Sequence, residues 1–261
     1  QERDDMYVEY ITLLNQAGQH EKAYDLIMSR KFHPWEGGEG KITTQYKIAL
    51  LEIAKKELKS REYASAIHHL RAALSYPENL GEGKLEGTKD NHLNYYLGSA
   101  YEALGNTEAA QEYYALASLG ADDPAGMMYY YDQPADSILY QGLALKKLGK
   151  PIAANAKFYK LLDYGEQHIF DEVKIDYFAV SLPDFMIFKD DLDKRNKAHC
   201  YYLIGLGNLG LGNREDAKRA FDQALQFDSN HMECILYGKI LKESQQRQRR
   251  NGENHGGMEE M

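Results

Sequence analysis

The stretch "YYLIGLGNLGLGNREDAKRAFDQAL", Tyr201 to Leu225, holds two apolar runs at helical spacing on either side of the turn "LGLGNREDA". Tyr201, Ile204 and Gly205 mark one face of the first run, and Ala217, Phe221 and Ala224 one face of the second. The Leu-Gly pair stops the first helix, with Gly just past its last turn. Gly205 sits where a side chain would block the neighbouring helix, and Ala217 has the same part on the second helix. Phe221, one turn beyond Ala217, fills the gap this leaves.

The same register recurs upstream. Leu97, Gly98 and Tyr101 are followed by Ala110, Tyr114 and Ala117 around "LGNTEAA", and Gly142 and Leu145 by Ala154, Phe158 and Leu161 around "LGKPIAA". Two weaker copies precede these: Ala54 with Ala66, Leu70 and Ala73, and Ile11 and Leu14 with Ala23 and Ile27. The shared pattern L-G-x-x-Y…A-x-x-x-F-x-x-A has a unit of about 34 residues. On these residues the chain resembles a tetratricopeptide-repeat (TPR) protein. The resemblance implies an all-α, right-handed α-solenoid of about five TPR-like helix pairs.

The second-helix alanines at 23, 66, 110, 154 and 217 recur at intervals of 43, 44, 44 and 63. Against a bare repeat, the first three units carry loops about 10 residues too long and the fourth an insertion of about 29. Units are expected near 6–30, 45–75, 91–119, 136–163 and 198–228, with the insertion at 163–197. A capping helix over 230–246, started by Ser229 or Asn230, would close the array of 4–246 and keep it soluble. Residues 247–261 have no apolar periodicity and read as a disordered tail. All the long loops join a second helix to the next first helix, so they emerge on one edge of the solenoid. Insertions on one edge often mark a binding surface.

One loop holds "HPWEGGEGK", His33 to Lys41, and the next holds "YPENLGEGK", Tyr76 to Lys84. Neither fits a phosphate-binding loop, which needs G-x-x-x-x-G-K-[ST]: Trp35 or Glu78 falls on the first Gly position, and Ile42 or Leu85 follows the Lys. The aligned pairs Gly38/Gly81 and Gly40/Gly83 are expected to allow positive φ and a sharp turn. Lys41 and Lys84 would then sit near the start of the next helix.

The chain has 261 residues and a formal net charge of −9, which argues against a nucleic-acid partner. Arg247, Arg249 and Arg250 form the one basic cluster, in the tail. Two cysteines give no disulfide framework and favour a reducing, cytoplasmic compartment. No apolar run reaches the roughly 20 residues of a membrane span. The chain opens at Gln1 rather than Met, which reads as a piece of a longer protein.

The loops hold most of the unusual residues. Trp35 lies beside Glu36 and Glu39, and Tyr129, Tyr130 and Tyr131 beside Asp132. An aromatic ring next to a carboxylate suits a sugar or a peptide: the ring stacks on an apolar face while the acid accepts from hydroxyls or amides. Glu82, Lys41 and Lys84 belong to the same edge, and Tyr95, Ser99, Glu102 and Tyr202 to the inner side of the first helices. The insertion adds acids led by Asp171. Paired carboxylates can cleave glycosidic bonds, but no nucleophile motif or metal-type spacing accompanies these, and they read as solvated acids. His199, Cys200 and Cys234 lack a C-x-x-C or H-x-x-x-H partner. No catalytic residue, metal or cofactor is therefore expected.

The strings "FHPWEGGEGK", "YPENLGEGK", "YYYDQPAD", "YQGLALKKLGK" and "FDEVKIDYFAVSLPDF" resemble the C-terminal TPR portion of a family of large bacterial proteins. Their front portion is a β-rich domain of unknown function with a carbohydrate-enzyme-like character. That resemblance implies a non-catalytic interaction or scaffold module that docks on another domain of its parent. The alternative it implies is an accessory domain whose loop edge completes a carbohydrate site.

Overall fold

Tyr114 lies over Gly98 so closely that a Cβ on the glycine would fall 2.7 Å from the ring. Phe158 covers Gly142 and Phe221 covers Gly205 in the same way. Ala110, Ala154 and Ala217, one turn before these rings, are buried. A glycine on the first helix and an alanine-aromatic pair on the second thus lock each of these helix pairs. Burying a ring such as Phe158 contributes about 1.5–3 kcal/mol.

The computed structural model describes residues 3–33, 35, 37–126, 133–173 and 191–242. The first three pairs are α1 (Asp4–Gln16) with α2 (His20–Met28), α3 (Lys41–Lys59) with α4 (Tyr63–Ala73), and α5 (Asn91–Ala103) with α6 (Thr107–Ala117). α7 (Asp136–Lys147) pairs with α8 (Pro151–His168), and α9 (Leu192–Leu211) with α10 (Arg214–Phe227). A short 3-10 turn, Glu78–Leu80, lies in the second connector, and residues 232–242 form a terminal helix. The described residues contain no strand, and consecutive helices pack on one another. The architecture is an all-α solenoid of five TPR-like helix pairs with long connectors and a closing helix.

One apolar core runs through the first three units, from Val8 to Leu97, and a second joins α7 to α10 with the terminal helix. Ala110, Tyr114, Ala117 and Ala144 form a smaller cluster. The segment expected as an insertion begins inside α8, which continues to His168, and ends inside α9. The reason is close packing of these two helices across the unit boundary. A Cβ on Gly165 would fall 2.6 Å from the Cys200 carbonyl oxygen, and one on Gly207 2.7 Å from that of Phe158. Residues 174–190, residues 243–246 of the expected capping helix and the tail 247–261 lie outside the described residues.

Side-chain amides fasten the connectors. The last carbonyls of a helix have no partner within it. Asn79 Nδ2 donates to Ile27 O in the last turn of α2 and to Arg30 O just beyond it, at 2.9 and 3.0 Å. Asn91 Nδ2 does the same for Ala117 O and Leu119 O at 2.7 and 2.5 Å, and Asn196 Nδ2 for His168 O at 2.7 Å. At the last turn, Asp228 Oδ1 accepts from Asn230 N at 3.0 Å, so Asp228 shapes the entry to the terminal helix.

Candidate functional site

The first two connectors close on each other. Glu82 Oε2 of the second accepts from Gly40 N of the first at 2.9 Å, and Phe32 N donates to Asn79 O at 2.7 Å. Gly40 has φ 75° and opens α3, whereas in the second copy Gly81, at φ 72°, ends the 3-10 turn. Their aligned partners, Gly38 and Gly83, are absent from the positive-φ set, so the twin motifs turn at different glycines. Gly38 serves close approach instead: a Cβ on it would overlap the Trp35 indole.

Between the connectors lies a cavity of 580 Å³. Trp35 and Glu39 line it from the first connector, Tyr76, Glu82, Glu86 and Lys89 from the second, and Gln133 and Pro134 from the third. Thr43, Thr44 and Lys47 close it from the first turns of α3. Lys47 Nζ lies 6.0 Å from the Tyr76 ring centre and 3.6 Å from the buried Asp90 carboxylate. Burial raises the pKa of Glu82, opposed by the Gly40 amide and assisted by Glu39. The cavity therefore offers two aromatic faces among three carboxylates and two ammonium groups.

The structure divides the expected site residues. Trp35, Glu39 and Glu82 meet in the cavity. Lys41 is the first residue of α3 and does not line it. Lys84 lies seven residues ahead of α5 rather than at its start, where its Nζ sits 2.5 Å from Asp90 Oδ2 and 2.8 Å from Leu74 O. Its work is to neutralise a buried acid. Asp171 is exposed and lies 2.6 Å from His168 Nδ1, at the end of α8 and outside the cavity. Glu36, Tyr129, Tyr130, Tyr131 and Asp132 lie outside the described residues.

The inner-face residues are engaged within the chain. Tyr95 packs against Tyr114 and Tyr140 at 5.8 and 5.6 Å between ring centres, and burial pushes its hydroxyl up to about 12. Glu102 accepts from Lys147 Nζ at 2.6 Å and from the Tyr114 hydroxyl at 2.8 Å, and Lys147 draws its pKa down. Tyr202 is only 5% exposed, with His231 4.7 Å from its ring. Sequence reasoning missed Tyr76, Lys47 and Lys89 at the cavity. The helical register places Lys47 on α3, but only the fold of the connectors brings it to Tyr76.

Among the described residues no group of three His, Cys, Asp or Glu could hold a metal ion, and no helix is long and apolar enough to cross a membrane. Fold and site together define an α-solenoid of TPR-like pairs with a polar-aromatic cavity on its loop edge. No family model matches the chain. Among solved structures it is similar to YrrB, described as a TPR protein with an unusual peptide-binding site. The identity is 17% over 90% of each chain, with a TM-score of 0.30.

Proposed function

We propose that this chain is a non-catalytic interaction module, and that the loop-edge cavity is where it holds a polypeptide partner, such as another domain of a longer parent chain. The observation that carries this reading is the convergence of three connectors on one concave site, with Trp35 and Tyr76 beside Glu39, Glu82 and Glu86. Aromatic faces supply contact area at little entropic cost, and carboxylates around them recognise amide N–H groups or a cationic side chain. Lys89 can pair with an acidic group of the partner, while Lys47 is held against Asp90.

A peptide-display selection on the full chain, repeated on Trp35→Ala, tests this. Peptides selected on the wild type should bind Trp35→Ala at least about tenfold more weakly, as befits a central aromatic anchor. Equal binding to the two proteins would overturn the assignment of the site. Binding of oligosaccharides in place of peptides, lost in the same variant, would overturn the polypeptide reading in favour of a glycan.

A further inference from the structure

Three helix starts converge on a second cavity, of 340 Å³. Asp136 opens α7, α9 contributes residues between Arg195 and Tyr202, and His231 and Glu233 stand at the start of the terminal helix. That helix is fixed in place. Cys234, Tyr237 and Leu241 are buried in the second core, and Lys239 Nζ donates to the carbonyl of Gln16 at the end of α1. The cavity is therefore a standing feature of the fold, with a volume in the range of small-molecule sites, about 300–1,000 Å³. Among the described residues it shares only Pro134 with the loop-edge cavity.

The charged groups around it are unequally partnered. Glu233 lies 3.3 Å from His231. Burial works against a charge on His231, but its bonds to Cys234 and Glu233 raise it to about 10, so the two form an ion pair without net charge. Arg195 and Asp228, of opposite sign, are exposed. Asp136 differs. Its carboxylate bonds its own backbone N–H, and among the described residues no side chain pairs with it. The cations that act on it most are Lys55 and Lys47 of α3, but Lys55 is paired with Glu52 at 2.5 Å and Lys47 with Asp90 at 3.6 Å. A buried carboxylate without a counter-ion is destabilising, and a cation beside it removes that penalty. His199 adds a neutral acceptor. Its Nε2 lies 2.8 Å from the carbonyl oxygen of Ala125, which can only accept, so Nε2 carries the hydrogen and Nδ1 is left with a lone pair. Burial lowers its pKa and keeps the ring neutral at pH 7. Ala135, Ala198 and Tyr202 supply a buried apolar wall.

We infer that this cavity binds a small organic amine, its ammonium group donating to Asp136 and His199 and its apolar body lying against Ala135, Ala198 and Tyr202. An ammonium group has three hydrogens to donate, and the carboxylate and the Nδ1 lone pair accept. An acidic ligand would face Asp136 with His231 already committed to Glu233, and a neutral one would leave the Asp136 charge without compensation. This site is independent of the loop-edge interaction proposed above.

The test is isothermal titration calorimetry of the full chain at about pH 8, where Asp136 is ionised. The probes are benzylamine and two analogues of similar size without the positive charge, benzyl alcohol and benzoate. Benzylamine should bind at one site, at least about tenfold more tightly than either analogue. Asp136→Asn keeps the shape, removes the charge and should weaken benzylamine at least about tenfold. The variant should melt no lower than wild type at this pH, so lost binding is not lost fold. Benzylamine held equally by wild type and Asp136→Asn, or no saturable binding of it to wild type, would overturn the inference. Benzyl alcohol or benzoate held as tightly as benzylamine would overturn the assignment of a cation.

Discussion

Gly142→Ala and Gly238→Ala introduce the same methyl group into a helix, and the structure gives them opposite signs. Alanine is favoured over glycine in a helix interior by about 0.8–1.0 kcal/mol. At Gly238 nothing lies within 4 Å of the new Cβ, so that gain is expected in full. At Gly142 the Cβ would enter the Phe158 ring, which is fully buried and also packs over Gly210 on α9. The ring cannot retreat without opening the contact between α8 and α9. Overpacking of this kind costs about 1–3 kcal/mol, and an overlap with a ring on both faces belongs at the upper end. The net effect at Gly142 is a loss of about 2 kcal/mol, against a gain of about 1 kcal/mol at Gly238. For a chain of this length each kcal/mol moves Tm by about 2 °C. Thermal melts followed by circular dichroism should therefore place Gly142→Ala about 4 °C below wild type and Gly238→Ala about 2 °C above it. Phe158→Leu added to Gly142→Ala should recover part of the loss. A Gly142→Ala protein as stable as wild type would refute the glycine–aromatic lock.

Asn91→Ala strips the partner from the carbonyl of Ala117, the last residue of α6, and from that of Leu119 beyond it, and should lower stability by about 2 kcal/mol, read as a reduced denaturant midpoint. Asp136 supplies a pH dependence. Burial, with Glu233 of the terminal helix, pushes its carboxyl from 3.8 to about 6, against the pull of Lys55 and Lys47 on α3. Tyr140, Tyr202 and Tyr237 surround the same region. Between those two values the folded chain holds a proton that the unfolded chain has released, so this group's contribution to stability falls as pH rises from about 4 to about 6. Asp136→Asn should remove that slope, matching wild type near pH 4 and melting a few degrees higher at pH 7.

The repeat was legible because its residues report a steric requirement. A glycine at 98, 142 or 205 followed by an aromatic at 114, 158 or 221 has one physical reading at helical spacing, and the structure shows those rings over those glycines. The connectors were less legible. Asn79, Asn91 and Asn196 look like any loop or helix-start asparagine, and only the folded chain shows which carbonyls they reach. The paired GEGK strings invited one backbone for both, yet Gly40 and Gly81 are not aligned positions. A terminal helix is described over 232–242 of the expected 230–246, but its bond to Gln16 was not foreseeable. The curvature that brings it there accumulates from small rotations between successive units, which no single motif encodes. Of the residues singled out, Trp35, Glu39 and Glu82 share one cavity, whereas Lys84 pairs with Asp90 and Tyr202 packs against His231.

Trp35 is the sole tryptophan of the chain, so its emission reports on the loop-edge cavity alone. The most direct measurement is therefore a fluorescence titration of the full chain with a display-selected peptide. The account predicts a saturable shift of Trp35 emission whose midpoint matches the Kd from calorimetry, and loss of that binding in Glu39→Lys. Tight binding by calorimetry with Trp35 emission unchanged would contradict it, because the partner would then be held elsewhere on the solenoid.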